Sequence, residues 1–355
     1  MTESLAGMLK RFQQQHAEQG ELTRDSRVLL IDGMNMFIGA FSASPAMNYM
    51  GEHIGGLKGF LSSILSCIAR FEPTRCIVVF DGKDGSANRR RKFSEYKEGR
   101  RNRIRLNRSI EMSGVLDESA ALRDQLLKVI SYLDCMPVSC ITMDYTEADD
   151  IIGYIVSEHY GISDSEIIIV SSDKDFFQLV NERVKVYRTT EKKVYDVDAI
   201  KESFGIPPCN FLTYRAMTGD VSDNIQGVHG IGLKTLIKII PEIQSDVLTC
   251  EDVIRIASSQ IDSGSKLKSY KSIVNSTKQI ALNEELMQLS DVDIPANKKL
   301  TVTRILESSV PLFDEFAFRR LINQHGLNHV GSEMLSPKSI ISLSHLNKYA
   351  EATSG

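Results

Sequence analysis

Nine acidic side chains stand where a globular chain is reluctant to put negative charge: Asp32, Asp81, Glu147, Asp149, Asp150, Asp173, Asp175, Asp220 and Asp223. Asp32 and Asp81 directly follow the apolar runs Val28-Leu29-Leu30-Ile31 and Cys76-Ile77-Val78-Val79-Phe80. Asp173 and Asp175 come just after Ile167-Ile168-Ile169-Val170. If these groups share one crevice, each pair ~4 Å apart costs about 4 kcal/mol at an effective dielectric of ~20. Something positive must hold them together. Hard divalent cations prefer carboxylate oxygens, so the pattern predicts a multi-metal site assembled from distant parts of the chain.

The elements that would position these acids are legible as periodicity. The three apolar runs are short and rich in branched residues, the signature of buried parallel strands. Leu57, Phe60, Leu61, Ile64, Leu65 and Ile68 form a helical stripe, as do Leu122, Leu126, Val129, Ile130 and Leu133. Residues 138–142 read as a further strand, and a helix is expected from Thr146 to about His159. Thr146-Glu147-Ala148-Asp149 and Ser172 to Asp175 both fit a capping-box-like helix start. Alternating strand and helix predicts an α/β fold, a central mostly parallel sheet with helices on both faces. In such a sheet the carboxyl ends of the strands converge on one ligand crevice. Four segments are expected: an extension over 1–26 with a short helix at about 4–19, the α/β core over 27–205, a helical region without strands over 206–330, and a loosely held tail over 331–355.

Composition narrows the classes. The chain has 355 residues, 42% hydrophobic and 25% charged, as in a soluble globular protein. No uninterrupted apolar stretch approaches 18 residues, so no membrane span is expected, and residues 1–27 lack the apolar centre of a signal peptide. The six cysteines show no Cys-x-x-Cys or zinc-like spacing, which predicts reduced, mostly packed thiols. The net charge of −4 hides an asymmetry: residues 82–108 carry eleven Lys or Arg against three acids. A concentrated basic stretch beside an acidic constellation points to a metal site acting on a polyanion.

Two further motifs favour a nucleic acid. In Arg89-Arg90-Arg91-Lys92-Phe93-Ser94-Glu95-Tyr96-Lys97, basic groups alternate with rings, the components of single-strand binding. A solvated charge run is the plainer alternative. In Gly227-Val228-His229-Gly230-Ile231-Gly232-Leu233-Lys234-Thr235, glycines let a backbone approach closely, and a following helix start offers N–H groups to a phosphate. Gly230, Gly232, Lys234 and Thr235 are therefore candidate phosphate contacts, with Lys83, Arg89, Arg90, Arg91, Lys92 and Tyr96 as candidates on the basic stretch.

Taken in order, Ile-Asp-Gly (31–33), Phe-Asp-Gly-Lys (80–83), Glu-Tyr-Lys (95–97), Glu-Ala-Asp-Asp (147–150), Ser-Asp-Lys-Asp (172–175), Gly-Asp-Val-Ser-Asp-Asn-Ile (219–225) and Gly-Ile-Gly-Leu-Lys-Thr (230–235) resemble the flap endonuclease/5′-nuclease family. That family includes the 5′-nuclease domain of bacterial DNA polymerase I and free-standing phage enzymes. The resemblance spans about residues 27–245. It implies that Asp32, Asp81, Glu147 and Asp149 serve one Mg²⁺ and that Asp149, Asp173, Asp175 and Asp220 serve a second, with Mn²⁺ able to substitute. Asp150 and Asp223 would act through metal-bound water. Lys97 matches the active-site lysine and Tyr96 its stacking neighbour. Residues 86–115 would form an arch for a free 5′ strand, and the Gly-rich turn would be part of a helix–hairpin–helix-like element that grips duplex, with a K⁺ ion.

The implied reaction is hydrolysis of phosphodiesters near 5′ ends in flapped, nicked or branched DNA and in RNA–DNA duplex, for primer or flap removal in replication and repair. Lys97, Asp149 and Asp173 would be central to it. A monomer in the cytoplasm of a bacterium or phage-infected cell is expected, with the tail available to a replication protein. Two other readings stay open: a metal-dependent RNase of the related small α/β type, and a catalytically inactive DNA-junction binder.

Overall fold

A computed structural model describes residues 23–100, 118–327 and 336–350. The expected helix at 4–19 and the second half of the arch therefore lie outside the described residues. The first half alternates as β1 (Arg27–Asp32), α1 (Gly33–Ala43), α2 (Gly55–Phe71), β2 (Arg75–Asp81), α3 (Ala87–Lys92), α4 (Glu118–Leu133), β3 (Ser139–Met143), α5 (Ala148–Tyr154) and β4 (Glu166–Val170). Then come β5 (Val184–Arg188), β6 (Lys193–Tyr195), α6 (Val197–Phe204) and α7 (Phe211–Thr218). The strand pair β7 (Gly219–Asp220) and β8 (Ile225–Gln226) follows, then α8 (Leu233–Ile239). The chain continues through α9 (Cys250–Asp262), α10 (Lys268–Asn275), α11 (Thr277–Met287), α12 (Ala296–Glu307), α13 (Glu315–Gln324) and α14 (Pro337–Leu346).

The main sheet has the order β3-β2-β1-β4-β5-β6, parallel throughout except for the antiparallel β5–β6 edge. This is the expected mostly parallel sheet. The chain leaves β1 toward β2 on one side and adds β4 on the other, so the sheet reverses direction of growth beside β1, where ligand crevices form.

Alternation along the central strands feeds two cores. Val28, Leu30, Ile77, Val79, Ile167 and Ile169 face one side and pack with residues of the helical half, including Phe211, Leu236, Val253, Ile280 and Val302. Leu29, Ile31, Cys76, Val78, Ile168 and Val170 face the other and pack with α1, α2 and α4. Because a strand's side chains alternate faces, one run of branched residues serves both layers. Helices α7 to α12 complete one face of the sheet, and α13 and α14 pack on the other.

Three local expectations need correction. The last segment is not loosely held where it is described: α14 packs against α2, with Leu343 and Leu346 buried in the same core as Phe60 and Ile64. Its stripe was masked by a Ser-rich composition. The helical region also contains strand, the β7–β8 pair carrying Asp220. Finally, neither capping box forms. The helix α5 starts from Glu147 without a side-chain cap of its own, and the Asp81 carboxylate accepts the Ala148 N–H at 2.8 Å instead. At the second start, a short 3₁₀ turn (Asp175–Leu179), the Asp175 N–H goes to Asp173 Oδ1 at 2.9 Å.

Candidate metal centre

Each acid arrives at the crevice by an identifiable device. Asp32 ends β1 and caps α1, accepting the Asn35 N–H at 3.0 Å and the Ser171 hydroxyl at 3.1 Å. Asp81 ends β2, and the next residue must be glycine: a Cβ on Gly82 would lie 1.7 Å from the Met143 carbonyl oxygen. Glu147, Asp149 and Asp150 occupy the start of α5, and Asp173 and Asp175 the turn after β4. Asp220 lies in β7, and Asp223 in the turn between β7 and β8, where its backbone carbonyl accepts the Lys97 N–H at 3.0 Å.

These groups share one field. Burial pushes the Asp32 carboxyl up to about 7, and the charges of Asp81 and Asp173 add to the rise. Asp81 has an exposed edge, yet desolvation by its surroundings and repulsion by Asp149 raise it. Burial, then Asp173, takes Asp175 to about 7. Burial does the same to Asp150, with Asp149 and Glu147 repelling it. The electrostatic links thus run from Asp175 through Asp173, Asp32 and Asp81 to Asp149, across the carboxyl end of the sheet.

Among the described residues, three side-chain cations hold the acids. Arg89, at 9% side-chain exposure, donates through Nη1 to Glu147 and to Asp149 at 3.2 Å, through Nη2 to Asp150 at 2.6 Å, and through Nε to the Leu286 carbonyl at 2.8 Å. Lys97 Nζ lies 2.5 Å from Glu147 Oε1 and 3.9 Å from Asp223 Oδ2. Arg215 donates through Nε to Asp175 at 2.6 Å and through Nη2 to Asp220. Burial alone would raise Asp149, but the Arg89 and Lys97 charges outweigh it and hold this carboxyl below the usual carboxylate range. Asp220 is likewise held low, by Ser222 and Arg215 against its burial.

One set of carboxylate oxygens, from Glu147, Asp149 and Asp150, lies within 4.8 Å of one another and fits a hard divalent cation. Asp150 lies in the same group as Glu147 and Asp149. Two candidate nucleic-acid contacts are corrected. Arg89 is spent on three carboxylates. Tyr96 is 3% exposed, packed with Ile225, Leu286 and Met287, and its ring lies under Lys97 Nζ at 4.9 Å. It supports the lysine and presents no face to a base. The physical reason is the same for both: the segment 89–97 folds back over the crevice, so its inward residues are consumed by it.

The remaining candidates stay at the surface. Lys83, Arg91 and Lys92 are exposed and Arg90 is half-buried, with Lys92 paired to Glu285 at 2.7 Å. In the Gly-rich turn, Val228 and Ile231 are buried anchors, while Gly230, Gly232 and Lys234 are exposed and Thr235 is half-buried. Gly230 has φ +77° and Gly232 precedes α8 as its cap. A cleft of about 1070 Å³ opens beside the acids, lined by Arg89, Arg91, Lys92, Asp150, Tyr145 and Lys298 among others. Sequence reasoning missed Arg215 and Ser171. Arg215 carried a readable signal, a lone cation one helical turn before Gly219-Asp220.

A family model describing a 5′-3′ exonuclease N-terminal, resolvase-like domain matches residues 27–205. The chain belongs to this 5′-3′ exonuclease family. The 5′-3′ exonuclease family chain is 26% identical over 320 residues to DNA polymerase I of Bacillus subtilis strain 168, an alignment covering 88% of the chain and 34% of that polymerase. It thus spans about a third of the length of that relative. It is 25% identical over 278 residues to a 5′-3′ exonuclease of Buchnera aphidicola subsp. Acyrthosiphon pisum, covering 78% of the chain and 91% of the relative. Its fold is similar to that of the bacteriophage T5 D15 flap endonuclease, solved as a pseudo-enzyme-product complex with DNA and metal ions. The TM-score is 0.56 at 20% identity, over 84% of this chain and 97% of that one. Among the described residues, no helix is long and apolar enough to cross a membrane.

Proposed function

We propose that this chain is a structure-specific 5′-nuclease, hydrolysing phosphodiester bonds near 5′ ends of DNA, and of RNA annealed to DNA, with two Mg²⁺ ions that Mn²⁺ can replace. The observation that carries this reading is the gathering of acids from β1, β2, α5, the turn after β4 and β7 at one sheet end, beside the basic segment that begins at Lys83. The T5 relative of similar fold, solved with DNA and metal ions, supports the same class of ligand.

When bound, the divalent ions would activate water and neutralise charge on the attacked phosphate. Glu147, Asp149 and Asp150 would hold one ion, with Asp32 and Asp81 beside them. Asp173, Asp175 and Asp220 would hold the other. Lys97, already aimed at Glu147, presents a fixed positive charge where a phosphate gathers negative charge. Arg90, Arg91 and Lys92 would guide the incoming strand as backbone contacts, which position without reading sequence. The exposed Gly230–232 turn and Lys234 would hold the duplex, with a K⁺ ion as part of that grip. The chain would act as a monomer in primer or flap removal during replication and repair.

The test uses end-labelled flap, nicked, single-stranded and RNA–DNA substrates with Mg²⁺. The wild type should cut flapped and nicked DNA near the 5′ end. Asp173→Asn should abolish cleavage while branched-DNA binding survives. Preference for linear single-stranded RNA would favour the RNase reading, and a wild type that binds junctions without cutting would favour the inactive binder.

A further inference from the structure

The least anticipated group in the crevice is Arg215. Its side chain is 13% exposed, and it joins acids from two distant segments: Asp175 from the turn after β4, and Asp220 from β7. The third arm, Nη1, donates to the Gly219 carbonyl at 3.2 Å. A guanidinium fork is planar and stays charged, so it sets both a geometry and a permanent charge. Its reach extends further. Asp175 N–H is held by Asp173 Oδ1 at 2.9 Å, Asp173 N–H by Ser171 Oγ at 3.1 Å, and the Ser171 hydroxyl donates to Asp32 at 3.1 Å. On the far side Asp220 Oδ1 takes the Ser222 N–H at 2.6 Å.

We propose that Arg215 is a positioning residue for the carboxylate group Asp173, Asp175 and Asp220: its fork fixes the orientation of Asp175 and Asp220, and its charge weakens this group's hold on a divalent cation. The inference rests on the metal-dependent nuclease reading above. Its signature is an opposition. Losing Arg215 removes a repelling charge, which tightens cation binding. It also frees two carboxylates to turn away, which slows cleavage. A residue needed only for folding would lower both together.

The experiment compares wild type, Arg215→Met and Arg215→Lys. Binding of Mn²⁺ to the DNA-free protein is followed by electron paramagnetic resonance, and single-turnover cleavage of a 5′-flap DNA is followed in Mg²⁺. Arg215→Met should bind Mn²⁺ at least ~30-fold more tightly, the effect of deleting a unit charge ~4 Å from a divalent ion even at the dielectric of water. Its cleavage rate should fall about a hundredfold, the scale of a misplacement of ~1 Å. Arg215→Lys keeps the charge without the fork, so Mn²⁺ affinity should return to the wild-type value while cleavage stays slow. Weaker or unchanged Mn²⁺ binding by Arg215→Met, or full cleavage by Arg215→Lys, overturns the proposal. If Arg215→Met does not fold, the lysine variant alone decides the role of the fork. A wild type that cleaves no DNA would sink the nuclease reading instead, and the Mn²⁺ comparison would still decide the role of Arg215.

Discussion

Asp32, Asp150 and Asp175 are each pushed up by burial to about 7, from an ordinary 3.8, and this makes the metal-free protein unusual in its response to pH. A folded-state pKa above the unfolded one means that the folded state binds more protons. The stability these groups allow is fully present below the unfolded value and is lost as pH rises through about 7. A rise of about 3 units corresponds to roughly 4 kcal/mol per carboxyl at high pH. That is an upper limit for each, because protonating one relieves its neighbours. Asp149 and Asp220, held low beside Arg89 and Arg215, work the other way and lose their contribution only as pH falls below about 4. Divalent cations need deprotonated carboxylates and stabilise the folded state by mass action, so their benefit grows over the same pH window. The assay is urea unfolding between pH ~5 and ~8, in EDTA and in Mg²⁺. Stability in EDTA should fall as pH rises, and the gain from Mg²⁺ should widen. Asp32→Asn keeps the cap acceptor for the Asn35 N–H but cannot ionise, so its EDTA profile should be flatter and higher at pH ~8 than that of the wild type. A wild-type profile that is level or rising in EDTA, or an Asp32→Asn profile parallel to it, would refute the reasoning.

Arg89→Met should destabilise the metal-free protein by about 3–5 kcal/mol, the cost of leaving buried charges unpaired. Mg²⁺ should recover part of this in urea melts, whereas an equal loss with and without Mg²⁺ would show that the carboxylates do not share a cation. Tyr96→Ala should cost about 3–5 kcal/mol as a core truncation, while Tyr96→Phe keeps both stability and single-strand affinity. A stable Tyr96→Ala protein that loses only DNA binding would restore the stacking role. Gly82→Ala forces a methyl onto the Met143 carbonyl and should cost about 3 kcal/mol or more, read as lost soluble yield or a lowered melting temperature.

The sheet was legible because its strands are short branched runs ending in acids, a pattern that few other structures produce. The β5 and β6 strands were not, since Val184-Lys185-Val186-Tyr187-Arg188 mixes polar and apolar residues beside the short edge strand β6 and resembles any exposed segment. The acids were legible by type and by position after strands. Most of their partners were not, because those pairings are set by chain folding across separations of 40 residues or more, as between Arg215 and Asp175; the local exception is Arg215 with Asp220, five residues apart. Basic residues in 89–97 carry no mark in the sequence separating an inward guanidinium from an outward one. The helical repeat decides it: Arg89 and Phe93 lie four apart on the inner face of the segment that α3 begins, and Arg91 and Lys92 fall on the outer.

The nine acids posed a charge problem, and cations from solution were the expected answer. The chain carries a second answer within itself. Arg89, Lys97 and Arg215 pair with Glu147, Asp149, Asp150, Asp175 and Asp220. A guanidinium cannot shed its proton when a divalent ion arrives. It must move or stay and repel. Arg89 and Arg215 are both largely buried, at 9% and 13% side-chain exposure, and each also donates to a backbone carbonyl, Arg89 to Leu286 and Arg215 to Gly219. Both are therefore held charges, and a divalent ion that binds the carboxylates beside them binds against their repulsion.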